Sequence, residues 1–327
     1  MSINNSLIIE NVTKLYGYGL LGLKKFKVLD SISLNIDLEK PKIVVLAGET
    51  GSGKTTLLRV IMGVVKPDSG RVMYKGYDVH RLKGSMVRWY RREVQPIFQD
   101  PYETFNPLRR IDSYFRDTVR NICGIRNGDE IERRIDEALR FVGLSLDRIS
   151  GKYPHEFSGG ELQRISIARA LLTNPKILLA DEPVSMLDAT LRVNILNILK
   201  YLKEKLNMII IYVTHDLSTA YYIGDYIAVM YRGTLVEYGP TSKVYQEPKH
   251  PYTYALLESI LEPDPALREK YPLIKPSALE IKEFLIYGCR YASRCPYAKD
   301  VCFRKLPPFI EIDGEYVRCW KYTNYKE

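Results

Sequence analysis

Apolar and polar residues alternate over 7–12 and 28–36, the period-two pattern of strands with one solvated face. "KIVVLAGE" (42–49) is instead continuously apolar, as a parallel strand covered on both faces must be. Helical spacing follows in "TTLLRVIMGVV" and stops at the turn cluster "KPDSG". Two further buried-strand runs, "KILLAD" (176–181) and "MIIIYVTH" (208–215), flank the amphipathic helix pattern "TLRVNILNILKYLKEKL". Strands alternating with helices predict an α/β fold with crossover connections and a parallel-sheet core. From Gln99 to about Leu172 the strand signal vanishes, and patterns such as "DEIERRIDEALRFVGL" predict an inserted helical lobe. Beyond Pro240 the regular pattern fades into Pro-, Tyr- and Cys-containing sequence, which predicts a small appended domain over 241–327. No internal repeat or low-complexity tract is visible.

Composition changes this picture little. At 327 residues, 46% hydrophobic and 27% charged, the chain is long enough for one large domain and a smaller one. "MSINNSLIIENV" lacks the succession of a secretory signal, and no apolar run approaches the roughly 18 residues of a membrane span. The expected location is therefore the cytosol or the cytosolic side of a membrane. The net charge of +9 comes without a polybasic block and reads as a basic surface.

The chemistry sits at strand ends. Gly48, Glu49, Thr50, Gly51, Ser52, Gly53, Lys54 and Thr55, followed by Thr56, match G-x-x-x-x-G-K-[ST] between a buried strand and its helix. Glycines let backbone N–H groups wrap phosphates, Lys54 brings a point charge to the β/γ oxygens, and Thr55 brings a hydroxyl to Mg²⁺. "ILLADEP" ends an apolar strand in Asp181 and Glu182, where one carboxylate can support Mg²⁺ and the next can activate water. His215, after another apolar strand, could reach a γ-phosphate.

In order, "GETGSGKT", Gln99 in "PIFQDP", "FSGGELQR", "ILLADEP", Asp188 in "SMLD" and His215 resemble the ATP-binding cassette of ABC transporters over roughly residues 7–240. The resemblance implies a P-loop cassette: a parallel-sheet core, an antiparallel β subdomain and a helical subdomain at about 100–172. It implies that ATP is sandwiched between two subunits, the phosphate loop of one facing the Ser158, Gly159, Gly160 signature of the other, with Glu161 beside it. It assigns Gln99 to sensing Mg²⁺ and water, Asp181 to Mg²⁺ support, Glu182 to the general base, His215 to the γ-phosphate and Asp188 to the cross-subunit loop. Tyr16 is the expected adenine-stacking aromatic, ahead of Tyr18. Glu161, where Gln is common, and Met186, where Ala is common, depart from the family pattern.

"IFQDPYETFNPLRRI", "EPKHPYTYALLESI" and the Cys-bearing tail are similar to the ATP-binding subunits of oligopeptide and dipeptide importers. That implies a second, paralogous ATPase subunit, two transmembrane permease subunits, an extracellular binding protein and attachment at the cytoplasmic face of the membrane. Nucleic acid is not an expected partner, and saccharide remains open as cargo. A soluble ABC ATPase acting on nucleic acid or ribosomes is the competing reading. In the tail, Cys289, Cys295, Cys302 and Cys319 are separated by five, six and sixteen residues. Tetrathiolate zinc sites usually carry tighter pairs. A [4Fe–4S] cluster, which the resemblance also implies, is the favoured occupant, with disulfides the main alternative. Cys123 reads as a structural thiol.

Overall fold

In a computed structural model, residues 5–18, 24–259 and 281–323 are described. The strands are β1 (Ser6–Tyr18), β2 (Lys24–Asp37), β3 (Lys42–Ala47), β4 (Ser69–Tyr74), β5 (Tyr77–Asp78), β6 (Val94–Ile97), β7 (Ile177–Asp181), β8 (Ile209–Thr214), β9 (Tyr226–Tyr231), β10 (Thr234–Pro240), β11 (Ile310–Ile312) and β12 (Glu315–Val317). The residues form two compact units, each drawn from separate stretches of chain.

One unit holds Asp37–Ile43 and Lys75–Val213, with residues up to Ser6. Its β6, β7 and β8 run parallel, with Gln95 opposite Leu178 and Asp181 opposite Val213. Ile177, Leu178, Leu179 and Ala180 are all buried, which is why that run carries no polar alternation. Between β6 and β7 the chain is helical, including Ile111–Thr118, Gly128–Arg140 and Gly159–Leu171. The Gly128–Arg140 helix starts where Asn127 accepts the Glu130 N–H, and it buries Ile131, Ile135, Ala138 and Leu139 at three- and four-residue intervals.

The other unit holds Leu7–Ile36, Val44–Tyr74 and Thr214–Glu327. In it β2, β1 and β4 lie side by side, β1 and β4 antiparallel with Ile9 opposite Val72. A second sheet has the order β11-β12-β10-β9-β3, in which β3 and β9 are parallel and the other pairs antiparallel. Val44, Val45, Leu46 and Ala47 of β3 are buried, as the unbroken apolar run requires. The tail strands β11 and β12 extend this sheet through β10, so part of the Cys-bearing sequence packs as strand where its pattern gave no strand signal. Among the described residues no helix is long and apolar enough to cross a membrane.

Candidate functional site

The phosphate loop leaves β3 and enters the Lys54–Ile61 helix. Its glycines are required by space and by backbone angle. Gly48 has φ +150°, and a Cβ there would stand 2.2 Å from the Met230 carbonyl oxygen. Gly53, at φ +100°, caps the helix, and its Cβ would meet the Val28 carbonyl oxygen at 2.8 Å. Lys54 is buried, with Nζ donating to the carbonyls of Gly48 at 2.7 Å and Glu49 at 2.9 Å. The ammonium is thus held against the loop that its charge is to serve. Ser52 is buried, Thr55 is exposed, and Thr56 follows on the helix. Gly51 takes φ +79°, whereas Thr50 is exposed at the loop's crest. In the same unit, Tyr16 on β1 is 37% exposed, while Tyr18 packs edge-on to Phe26 at 5.8 Å. Of the two, Tyr16 therefore presents the freer face for stacking. His215 is exposed in the bend after β8, just ahead of the Leu217–Ile223 helix capped by Asp216.

The other unit carries the remaining residues. Gln99 is exposed between β6 and the Pro101–Thr104 helix. Asp181 ends β7 half-buried, and Glu182 follows at φ +45°. A non-glycine residue in the left-handed region costs on the order of 1–3 kcal/mol, and such strain concentrates where function needs a fixed side chain. The surroundings enforce it: the Glu182 N–H donates to Val213 at 3.0 Å and its carbonyl accepts from Ser185 Oγ at 3.0 Å. Asp188 caps the Ala189–Lys205 helix, Oδ1 accepting the Leu191 N–H at 2.9 Å, and Met186 is 65% exposed beside it.

Ser158 caps the Gly159–Leu171 helix and closes a capping box with Glu161. Gly160 is buried, and a Cβ there would press on Leu191 Cδ1 at 2.9 Å. The Glu161 carboxylate is fully engaged. Its Oε1 accepts from Arg148 Nη2 at 2.6 Å and Nε at 3.1 Å, while Oε2 accepts the Ser158 N–H at 3.1 Å. The Arg148 hydrogen bonds, foremost, hold its carboxyl below the usual range. Glu161 is therefore a paired capping anion whose charge Arg148 offsets.

All five cysteines are free thiols. Cys123 is half-buried and donates from Sγ to Leu172 at 3.4 Å, and burial pushes its thiol up. The other four line one mostly apolar cavity of about 200 Å³, together with His250 and Trp320. Backbone N–H groups reach each sulfur: Tyr291 to Cys289, Tyr297 to Cys295, Lys299 to Cys302 and Lys321 to Cys319. Burial first, then its neighbouring thiols, pushes Cys289 up to about 12. His250 is buried in the cavity wall; its Nδ1 accepts the Tyr252 N–H and its Nε2 has no partner. Four thiols, backbone N–H donors and an unpartnered imidazole nitrogen thus meet at one cavity. Among the described residues, no three His, Cys, Asp or Glu side chains close to the spacing of a single metal ion's ligands.

Sequence reasoning missed the residues that hold Glu49. Tyr252, Arg232 and Arg294 contact it from over 180 residues away in the chain. "HPYT" was visible only as part of a resemblance, and no local pattern reports a pairing at that separation.

The ABC transporter family model matches residues 31–185, and the oligopeptide/dipeptide transporter C-terminal region matches residues 236–302. The oligopeptide transport ATP-binding protein AppF of Bacillus subtilis is 35% identical over 307 residues, 91% of this chain and 90% of that protein. A Brucella ovis protein named for peptide import ATP binding is 38% identical over 297 residues, 90% of this chain and 91% of its own length. Among solved structures, a dimeric ATP-binding cassette in a post-hydrolysis state with ADP and Pi matches at TM-score 0.63 and 30% identity, covering 72% of this chain and 98% of that one. With a phosphate loop, a capped glycine signature and relatives of this identity along nearly its whole length, the chain belongs to the ABC transporter ATP-binding proteins, in the group with the oligopeptide/dipeptide C-terminal region.

Proposed function

We propose that the chain, 1–240 as the cassette and 241–327 as its C-terminal extension, hydrolyses ATP at the cytoplasmic face of the membrane to drive import of oligopeptides or dipeptides. It works as one of two ATPase subunits, its partner a paralogue, beneath two permease subunits fed by an extracellular binding protein. The names of the relatives support peptide as cargo.

In this reading the loop N–H groups and Lys54 hold the ATP phosphates, and Tyr16 stacks on adenine. Thr55, Gln99 and Asp181 offer the hard oxygen donors that suit Mg²⁺, which when bound neutralises phosphate charge. Glu182 takes the proton of the attacking water, His215 orients on the γ-phosphate, and Ser158, Gly159 and Gly160 serve the partner's ATP, with Asp188 in the loop between subunits. A helix amino end with its side chain turned to its own cap leaves further N–H groups for an anion.

The single observation that carries hydrolysis is Glu182, held at φ +45° directly after Asp181 at the end of β7. General-base catalysis contributes about 10²–10⁴-fold. Glu182→Gln should therefore lower ATP turnover by at least about a hundredfold while retaining ATP binding, and should accumulate an ATP-bound dimer on gel filtration. Turnover near the wild-type rate would remove the base assignment.

Cys289, Cys295, Cys302 and Cys319 would hold a [4Fe–4S] cluster, which when bound supplies a rigid, redox-capable crosslink to a small tail. The four N–H···S contacts, the cavity and the unpartnered His250 Nε2 support it.

A further inference from the structure

Glu49 is the second residue of the phosphate loop, and a carboxylate there opposes the binding of a polyanion unless something offsets it. Every polar group of Glu49 has a partner, and three of these partners lie beyond residue 230. Its N–H donates to Tyr252 Oη at 3.1 Å. Its carbonyl accepts from Ser52 N–H at 3.1 Å and Lys54 Nζ at 2.9 Å. Its Oε2 stands 3.6 Å from Arg232 Nη2 and its Oε1 3.6 Å from Arg294 Nη1.

These partners are themselves fixed. Arg232 is buried, its Nε donating to Glu283 at 2.7 Å. Tyr231 Oη donates to the same carboxylate at 2.9 Å and accepts from Arg294 Nη1 at 3.2 Å. Tyr252 packs at a tilt against Tyr231, with ring centroids 4.4 Å apart, and meets Tyr291 edge-on at 5.5 Å, and all three rings are buried. Tyr252 stands in the first turn of the Pro251–Glu258 helix, and the N–H groups of Lys249 and His250 donate to buried Glu237 at 2.7 and 2.9 Å. Tyr291 and Arg294 come from the short segment between Cys289 and Cys295.

We propose that Arg294, Arg232 and Tyr252 are positioning residues for nucleotide triphosphate binding: they neutralise the Glu49 carboxylate and pin its N–H, so that the phosphate loop meets the polyanion without that charge. Tyr252 and Arg294 belong to the C-terminal extension, and Arg232 lies in the turn between β9 and β10. Freeing one carboxylate in the phosphate loop weakens binding of the polyanion about tenfold or more.

The test uses the full chain with Mg-ATP, reading Kd by fluorescent-analogue displacement and separating KM from kcat. Arg294→Met keeps the aliphatic stem and removes the charge. Its Kd and KM should rise about tenfold with kcat little changed, and adding Glu49→Gln should recover most of that loss. A purely structural arginine would not be rescued by removing the carboxylate. Unchanged affinity in Arg294→Met, or a double variant no better than the single one, overturns the proposal. Should Arg294→Met fail to fold, Tyr252→Phe takes its place. A threefold or larger rise in Kd at unaltered melting temperature then supports the proposal, and an unchanged Kd overturns it.

Discussion

Arg290, the residue after Cys289, joins the extension to β2, and its replacement by Met tests how much that junction contributes to stability. Its side chain is 1% exposed, and Nη2 lies 2.9 Å from Asp30 Oδ2, itself 11% exposed. Nη1 donates to the carbonyl of Lys27 at 2.8 Å and to that of Arg232. Removing one partner of a buried ion pair costs about 3–5 kcal/mol because the other charge is left uncompensated. Here Lys27 Nζ, 2.9 Å from Asp30 Oδ1, remains, but it is half exposed and offsets only part of the loss. The two carbonyls left without this donor add about 1 kcal/mol, and Met fills the stem's volume, so no cavity term enters. A total of about 4 kcal/mol is a large fraction of a net stability of about 5–15 kcal/mol.

The two partners are pushed differently. Burial lowers Arg290, whose ordinary value lies so far above neutrality that it stays charged. Burial also works against the Asp30 carboxylate, but the Lys27 hydrogen bond and the Arg290 charge outweigh it and hold Asp30 below its ordinary value. A lowered carboxyl contributes stability that is present above its unfolded value, about 3.9, and is lost as pH falls through the folded value. The gap between wild type and Arg290→Met should thus be constant from pH 5 to 8 and should narrow below about pH 4. Urea unfolding followed by tryptophan fluorescence measures it. A loss under about 1 kcal/mol, or an Asp30→Asn/Arg290→Met double variant no more stable than Arg290→Met, would refute the reasoning.

Other outcomes follow from the two units. Anaerobically purified chain should contain iron and sulfide and absorb in the visible, and Cys302→Ser should lose both; a colourless, iron-free folded protein contradicts the cluster. Ser158→Ala removes the cap of the signature helix, so stability should fall by about 1 kcal/mol and ATP turnover much more than ATP affinity; equal loss of both would deny Ser158 a role beyond capping. Gly53→Ala should abolish nucleotide binding, since its Cβ would stand 2.8 Å from the Val28 carbonyl oxygen; retained binding measured by calorimetry would show that the loop does not need that close approach.

The fold was legible wherever burial wrote a pattern into adjacent residues. "KILLAD" and "MIIIYVTH" become β7 and β8, and "TLRVNILNILKYLKEKL" becomes the Ala189–Lys205 helix, because continuous or periodic apolar positions follow from contact with a core. Boundaries were less legible: helical spacing through Val65 gives a helix that ends at Ile61, where Gly63 at φ +75° stops it. The tail strands β11 and β12 carry only three residues each, too few to show alternation. At the site, motif residues announced themselves through composition next to strand ends. The strained Glu182, the Arg148 partner of Glu161 and the clamp on Glu49 did not, because each depends on groups that only folding brings together.

The most direct measurement of the central claim is ATP-driven uptake into vesicles holding the permease subunits, both ATPase subunits and the binding protein, with labelled peptides competing against labelled oligosaccharides. The account predicts peptide accumulation that requires ATP and stops in Glu182→Gln. Accumulation of saccharide alone, or peptide uptake that persists in Glu182→Gln, would contradict it.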